Sequence, residues 1–239
     1  MKWPIPKNEL LDALKAGVER TVELIDRATE FHGGTAETEY LLTGDIAREL
    51  IERDYKVKVE CLNKDLINVL TKDKTISFPK NLGKKRTDIA ITDEVRIPYA
   101  LIEVKIRIKR LTGVEEDLSK LCDTLRRLSD KYSKSSWGVS LFQVHLEKTK
   151  KRAQRQHFIR DIRRLEARLD KNLATYARSH LDFSFEWCAL QEGDGGIQGP
   201  RLEEVVHDDG VTEMELVNDG FALRYYAVLV QRRPRQSQA

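Results

Sequence analysis

The chain has 239 residues, 40% of them hydrophobic and 34% charged, with a net charge of only +3. That length accommodates one large domain, or one domain with an appendage, and a core that needs neither disulfide nor metal to hold it. No stretch nears the roughly 20 apolar residues of a spanning helix, the opening MKWPIPKNELLDAL lacks a signal-peptide apolar segment, and Cys61, Cys122 and Cys188 form no C-x-x-C pair, so the expectation is a cytoplasmic protein with free thiols.

The small net charge hides an asymmetry. Residues 147–178 carry eleven Lys or Arg against four acids, a local +7, whereas residues 182–220 carry eleven acids against Arg201 alone, a local −10. A polyanion suits the first stretch and is repelled by the second.

In chain order, residues 8–31 read as an amphipathic helix with Leu11, Leu14, Val18, Val22 and Ile25 at three- and four-residue steps, broken by His32, Gly33 and Gly34. A second helix runs from about Glu37 to Arg53 on a stripe of Ile46, Ala47, Leu50 and Ile51. Val57 and Val59 alternate with Lys58 and Glu60 as a strand, residues 63–85 are ambiguous, and Arg86–Thr92 and Ala100–Ile108 are two clear strands. A helix over 114–132 follows, then a strand over Trp137–Leu146, a long basic helix over about 149–179, and strands over Phe183–Leu190 and Phe221–Gln231. Between the last two lies a glycine- and acid-rich loop, and residues 232–239 read as a disordered tail. This order predicts an α/β (α+β) fold, a mixed central sheet flanked by helices.

Chemistry concentrates in Arg86-Thr-Asp-Ile-Ala-Ile-Thr92 and Ala100-Leu-Ile-Glu-Val-Lys-Ile-Arg-Ile108. Side chains alternate along a strand, so Ile102, Val104, Ile106 and Ile108 share one face and Glu103, Lys105 and Arg107 the other, while Asp88 lies opposite Ile89 and Ile91. If the strands are neighbours, Asp88 and Glu103 converge. Two adjacent carboxylates repel unless a cation joins them, and their oxygen ligands suit Mg²⁺ or Mn²⁺. Lys105, on the Glu103 face, can orient a water or steady charge developing on a phosphate.

The pattern Asp88, fourteen residues, Glu103-Val104-Lys105 resembles the PD-(D/E)XK nuclease superfamily, although Thr87 stands where the family pattern has proline. The resemblance covers residues 37–146. It implies a restriction-endonuclease-like core there; the helical segment before it (1–36) and the basic helix with C-terminal strand additions after it (147–231), expected to pack on the core, have no counterpart in the family pattern. It further implies a Mg²⁺- or Mn²⁺-dependent phosphodiester hydrolase acting on nucleic acid, taken as DNA, with Asp88 and Glu103 as metal ligands and Lys105 as the catalytic lysine. A homodimer suits a cut on both strands. Many members add an acid from the helix before the sheet. Glu39, in register with Ile46 and Leu50, is the candidate, with Glu37, Glu49 and Glu60 as rivals.

Lys84, Lys85 and Arg86 lead into the Asp88 strand and either grip phosphates or form a solvated basic loop; Arg107 is a further phosphate candidate. Lys151, Arg152 and Arg155 open the basic helix, which can lie along a nucleic-acid backbone or form a solvated face. Gln143, between Phe142 and Val144, contacts substrate or satisfies a backbone group. The histidines lack zinc-site spacing, and there is no P-loop or G-x-S-x-G motif. Two other classes compete: a non-catalytic nucleic-acid-binding subunit with a nuclease-like fold, and a protein-interaction partner working through its acidic segment.

Overall fold

The computed structural model describes residues 4–32, 38–63, 85–94, 97–108, 111–128, 136–148, 155–191, 197–198, 201–206, 212–217 and 220–233. Helices α1 (Lys7–His32) and α2 (Thr38–Glu52) precede strands β1 (Lys56–Leu62), β2 (Arg86–Thr92) and β3 (Pro98–Ile108). Helix α3 (Thr112–Arg127), strand β4 (Trp137–Lys148) and helix α4 (Arg155–Ser179) follow. The chain then forms β5 (Phe183–Ala189), β6 (Ile197–Gln198), β7 (Arg201–Val206), β8 (Thr212–Val217) and β9 (Gly220–Arg232).

The main sheet runs β1-β2-β3-β4-β9-β5, with β6 also paired to β9. Only β3 and β4 are parallel, joined through α3; the other neighbours are antiparallel. The expected mixed sheet flanked by helices is therefore present. Residues 138–144 of β4 and 225–230 of β9 are buried without interruption, as strands covered on both faces should be. One cover is α1 and α2, whose Leu10, Leu14, Val18, Leu42, Ile46 and Leu50 pack onto Ile89, Ile91, Ile102 and Val104. The other is α3 and α4, whose Leu118, Leu121, Leu125, Leu169 and Leu173 pack onto Leu101, Phe142, Tyr226 and Val228.

Two features differ from the sequence expectation in an informative way. The acid-rich stretch, expected as a loop, contains the β7–β8 hairpin, paired from Arg201↔Val217 to Val206↔Thr212. Alternation in Val205-Val206 and Met214-Glu215-Leu216-Val217 is obscured by charge, because six acids fall between 203 and 215. Ile51, expected on the apolar stripe of α2, is 57% exposed; the stripe turns by 100° per residue, and Ala47 and Leu50 already fill the interface. Residues 63–85, the start of the basic helix with Lys151 and Arg152, and the C-terminal residues 234–239 lie largely or wholly outside the described residues, as do Glu37 and Lys84.

Candidate active site

Strands β2 and β3 pair only from Thr92↔Pro98 to Ile89↔Ile102. One step further the ladder would set Asp88 against Glu103, and there the strands part. The N–H groups of β3 along that edge still need partners. The Val104 N–H donates to Asp88 Oδ2 at 2.7 Å. Two residues on, the Ile106 N–H donates to the Glu39 carboxylate, which arrives from the first turn of α2. A carboxylate from β2 and another from α2 thus replace consecutive rungs of the ladder, and this fork gathers the acids.

On the other edge of β3 the register with β4 shifts between Lys105 and Ile108, a bulge in which Arg107 adopts φ 52°. The Arg107 N–H reaches Gln143 Oε1 at 3.4 Å, while Gln143 Nε2 donates to the Tyr225 hydroxyl at 2.6 Å. Gln143 therefore satisfies a backbone group, one of its two expected roles. The bulge also ends the strict alternation that puts Arg107 on the Glu103 face. Ile108 packs with the α3 side of the sheet, away from Ile102 and Val104, because one extra residue reverses which face the following side chain meets.

Helix α3 closes the fork from above and brings two residues that sequence reasoning missed. Lys120 Nζ lies 2.5 Å from Glu103 Oε2 and also donates to the Arg86 carbonyl. Asp117 Oδ1 lies 3.0 Å from Lys105 Nζ, which donates in addition to the Gly113 carbonyl at 3.1 Å. A signal was present: Asp117 falls on the same helix face as Val114, Leu118 and Leu121, so an acid occupies the buried stripe. Lys120 is then one turn further on, where it can balance a buried charge.

The electrostatics follow from this enclosure. Glu103 is 4% exposed, and burial pushes its pKa up to about 8, with Asp88 and Asp117 adding to the rise and Lys120 opposing it. Burial likewise raises Asp88, against the Val104 hydrogen bond and Lys120, and raises Asp117 against Lys105 and Lys120. Glu39 faces solvent, yet partial burial and the charge of Asp88 raise its pKa too, while the Ile106 hydrogen bond and Lys105 hold it down. Glu103 Oε1 and Asp117 Oδ2 are buried without a hydrogen-bond partner among the described residues. Leaving such an oxygen unpaired costs about 1–3 kcal/mol.

Two of the three rival acids, Glu49 and Glu60, pair with arginines. Glu49 is bound to Arg20 at 2.5 Å, and Glu60 to Arg86 at 3.5 Å. Lys85 and Arg86 are exposed at the entrance to β2, and Arg155 is exposed at the start of α4. Thr87 is buried and donates from Oγ1 to Asn63 Oδ1 at 2.7 Å, so a hydrogen bond anchors the start of β2.

A divalent cation suits this donor set in one respect and meets a limit in another. Unpaired carboxylate oxygens with raised pKa values are what a hard cation relieves. Among the described residues, however, no three His, Cys, Asp or Glu side chains are grouped closely enough to hold an ion alone. Asp88 and Glu103 are coupled through their charges, and two carboxylates could hold Mg²⁺ if other oxygen ligands completed its shell. No described helix is long and apolar enough to cross a membrane. Comparison with known proteins finds no family model that matches the chain, no similar curated protein and no similar solved structure.

Proposed function

We propose that the chain is a metal-dependent nuclease that hydrolyses phosphodiester bonds, with DNA as its substrate. The observation that supports this best is the fork between β2 and β3, where Asp88 and Glu39 take successive β3 N–H groups, Glu103 couples to Asp88, and Lys105 acts on Glu39.

In this reading Asp88 and Glu103 hold Mg²⁺ or Mn²⁺, which supplies Lewis-acid polarisation of a phosphoryl oxygen. Glu39 supports the arrangement through the Ile106 N–H and its charge coupling to Asp88. Lys105 is half-exposed, with its ammonium fixed by Asp117 and Gly113, so it can meet a phosphate oxygen or hold a water without searching for a rotamer. The substrate backbone then continues over the basic face of α4, the neighbour of α3 through Ser119–Tyr176 at 2.8 Å and Asn172–Glu115 at 3.3 Å. A homodimer would place two such sites on a duplex, and the cytoplasm, where free thiols persist, would be its compartment.

The test is to incubate purified protein with supercoiled plasmid, linear duplex, single-stranded DNA and RNA, each with Mg²⁺, Mn²⁺ or EDTA. The expected result is cleavage of DNA with metal, none with EDTA, and none by folded Asp88→Asn or Lys105→Met. Equal cleavage by both variants would remove the reading.

A second reading is a nucleic-acid-binding subunit without catalysis. The outward arginines of α4 favour it: Arg160, Arg163 and Arg164 share one face of the helix with Gln156, Ile159 and Ala167. Binding that persists in EDTA, with no cleavage under any metal, would select it.

A further inference from the structure

Four carboxylates line the fork without closing on a single point, Asp88, Glu103, Asp117 and Glu39, coupled through their charges, and two described ammoniums face them. Their reach differs. Lys105 bears on Asp117 and Glu39. Lys120 bears on Asp88, Glu103 and Asp117, all three of the more deeply enclosed acids. The Lys120 side chain is only 12% exposed, and its ammonium rests on Glu103 Oε2 and the Arg86 carbonyl, at the level where β2 and β3 part. A cation shared by Asp88 and Glu103 would sit close to that ammonium, which acts on both carboxylates.

We propose that Lys120 is a built-in counter-ion that competes with the divalent cation for Glu103, so that metal binding exchanges an ammonium for the ion. This rests on the nuclease reading and adds to it a residue that sets cation affinity. With every acid ionised, four negative charges face two positive ones. The deficit of two equals the charge of one divalent cation. Lys120 holds Glu103 Oε2 and leaves Oε1 unpaired, and a divalent cation on Oε1 would stand close to the ammonium, where like charges repel strongly because water is scarce. Lys120 has four rotatable bonds and keeps the Arg86 carbonyl as a second acceptor, so it can swing off Glu103 while its stem stays packed. Lysine suits the exchange better than arginine, whose planar fork would lock both carboxylate oxygens.

The experiment measures cation binding, separately from cleavage. Mn²⁺ and Ca²⁺ are titrated calorimetrically and by thermal melting into wild type, Lys120→Met and Lys120→Met/Glu103→Gln. Lys120→Met is expected to bind on the order of tenfold more tightly than wild type and to gain more in melting temperature, and the double variant to lose that gain. Affinity in Lys120→Met equal to or weaker than wild type overturns the proposal. Should Lys120→Met be too unstable to titrate, Lys120→Arg decides: it is expected to bind the cation more weakly than wild type, and equal or tighter binding overturns the proposal. Wild type that binds and cleaves, beside a Lys120→Met of unchanged affinity, refutes the exchange and spares the nuclease. Absence of cation binding in every variant refutes both.

Discussion

The Asp88 carboxylate accepts the Val104 N–H at 2.7 Å, in the place where a main-chain carbonyl of β2 would sit if the ladder continued. A side chain has taken a backbone's role, and both its rigidity and its exposure to the fork follow from that. Asp88 cannot rotate away without orphaning a buried N–H, so its other oxygen is held toward the cleft. Replacement by Ala should therefore lower stability as well as function. Asp88→Asn, which retains an acceptor oxygen, should melt within a few degrees of wild type and lose cleavage; a calorimetric melt beside a plasmid assay checks both.

Asp117 fixes Lys105, and the consequence is kinetic. In Asp117→Asn the ammonium keeps the Gly113 carbonyl but loses its ion pair. Misplacing a reacting group by about 1 Å costs roughly 100-fold in rate. The expected outcome is a fall in kcat of about 10- to 100-fold with KM little changed, measured on a duplex substrate with saturating Mg²⁺. An equal loss in both parameters would mean that Asp117 serves the fold.

Glu103 should make stability depend on pH. Its pKa lies near 4.5 in an unfolded chain and at about 8 in the folded one, so between those values the folded state holds the extra proton. Stability then falls as pH rises across that window, since the state binding more protons is favoured by acid. Asp88 and Asp117, also raised, act in the same direction. In EDTA, wild type should lose melting temperature from about pH 5 to about pH 8. Glu103→Gln should lose less, and parallel curves for the two proteins would contradict the assignment.

Gly17 positions α2, and through it Glu39. A Cβ there would stand 2.6 Å from Ile46 Cγ1 and 2.9 Å from Ile46 Cα, and the second of these is backbone that cannot swing aside. Alanine would gain about 1 kcal/mol in helix propensity. Forcing the helices apart costs about 1–3 kcal/mol, so the net change is destabilising. Urea unfolding of Gly17→Ala should show a lower midpoint at unchanged slope, and reduced cleavage should accompany it.

The arginine face of α4 should govern the salt dependence of nucleic-acid binding. Changing Arg160, Arg163 and Arg164 to Gln should weaken binding uniformly across sequences. The slope of log K against log salt should become shallower by roughly 0.9 for each phosphate that is no longer neutralised. Fluorescence anisotropy at several salt concentrations measures it; an unchanged slope would direct attention to Lys85 and Arg86.

Much of this site is legible in the amino-acid sequence. The alternation of Ile89 and Ile91, and of Ile102 and Val104, defines which face of each strand is apolar and hence that Asp88, Glu103 and Lys105 project together. Glu39 is reachable because its spacing to Ile46 and Leu50 sets it at the solvent-facing end of the buried stripe of α2. Arg107 is not, because a bulge formed by an arginine at positive φ carries no local signature such as glycine would give. Lys120 is hidden for another reason: its meaning depends on Glu103, seventeen residues earlier, and a lone lysine on a helix ordinarily faces water. The fork itself is invisible in sequence, since nothing in Thr87-Asp88 or Glu103-Val104 announces that the strands separate there.

Helix α4 ties its acids into contacts: Asp161 meets Lys148 at 2.5 Å and lies 3.6 Å from Arg164, Glu166 accepts from the Tyr226 hydroxyl at 3.1 Å, and Asp170 accepts from the Trp187 indole at 2.6 Å. The outer face of α4 is nonetheless locally basic, with Arg160, Arg163, Arg164 and Arg168 exposed. An approaching polyanion would feel a torque before it touches the surface, and would arrive with the arginine side leading. The near-neutral sum of charges conceals this, and low ionic strength should speed arrival far more than +3 suggests.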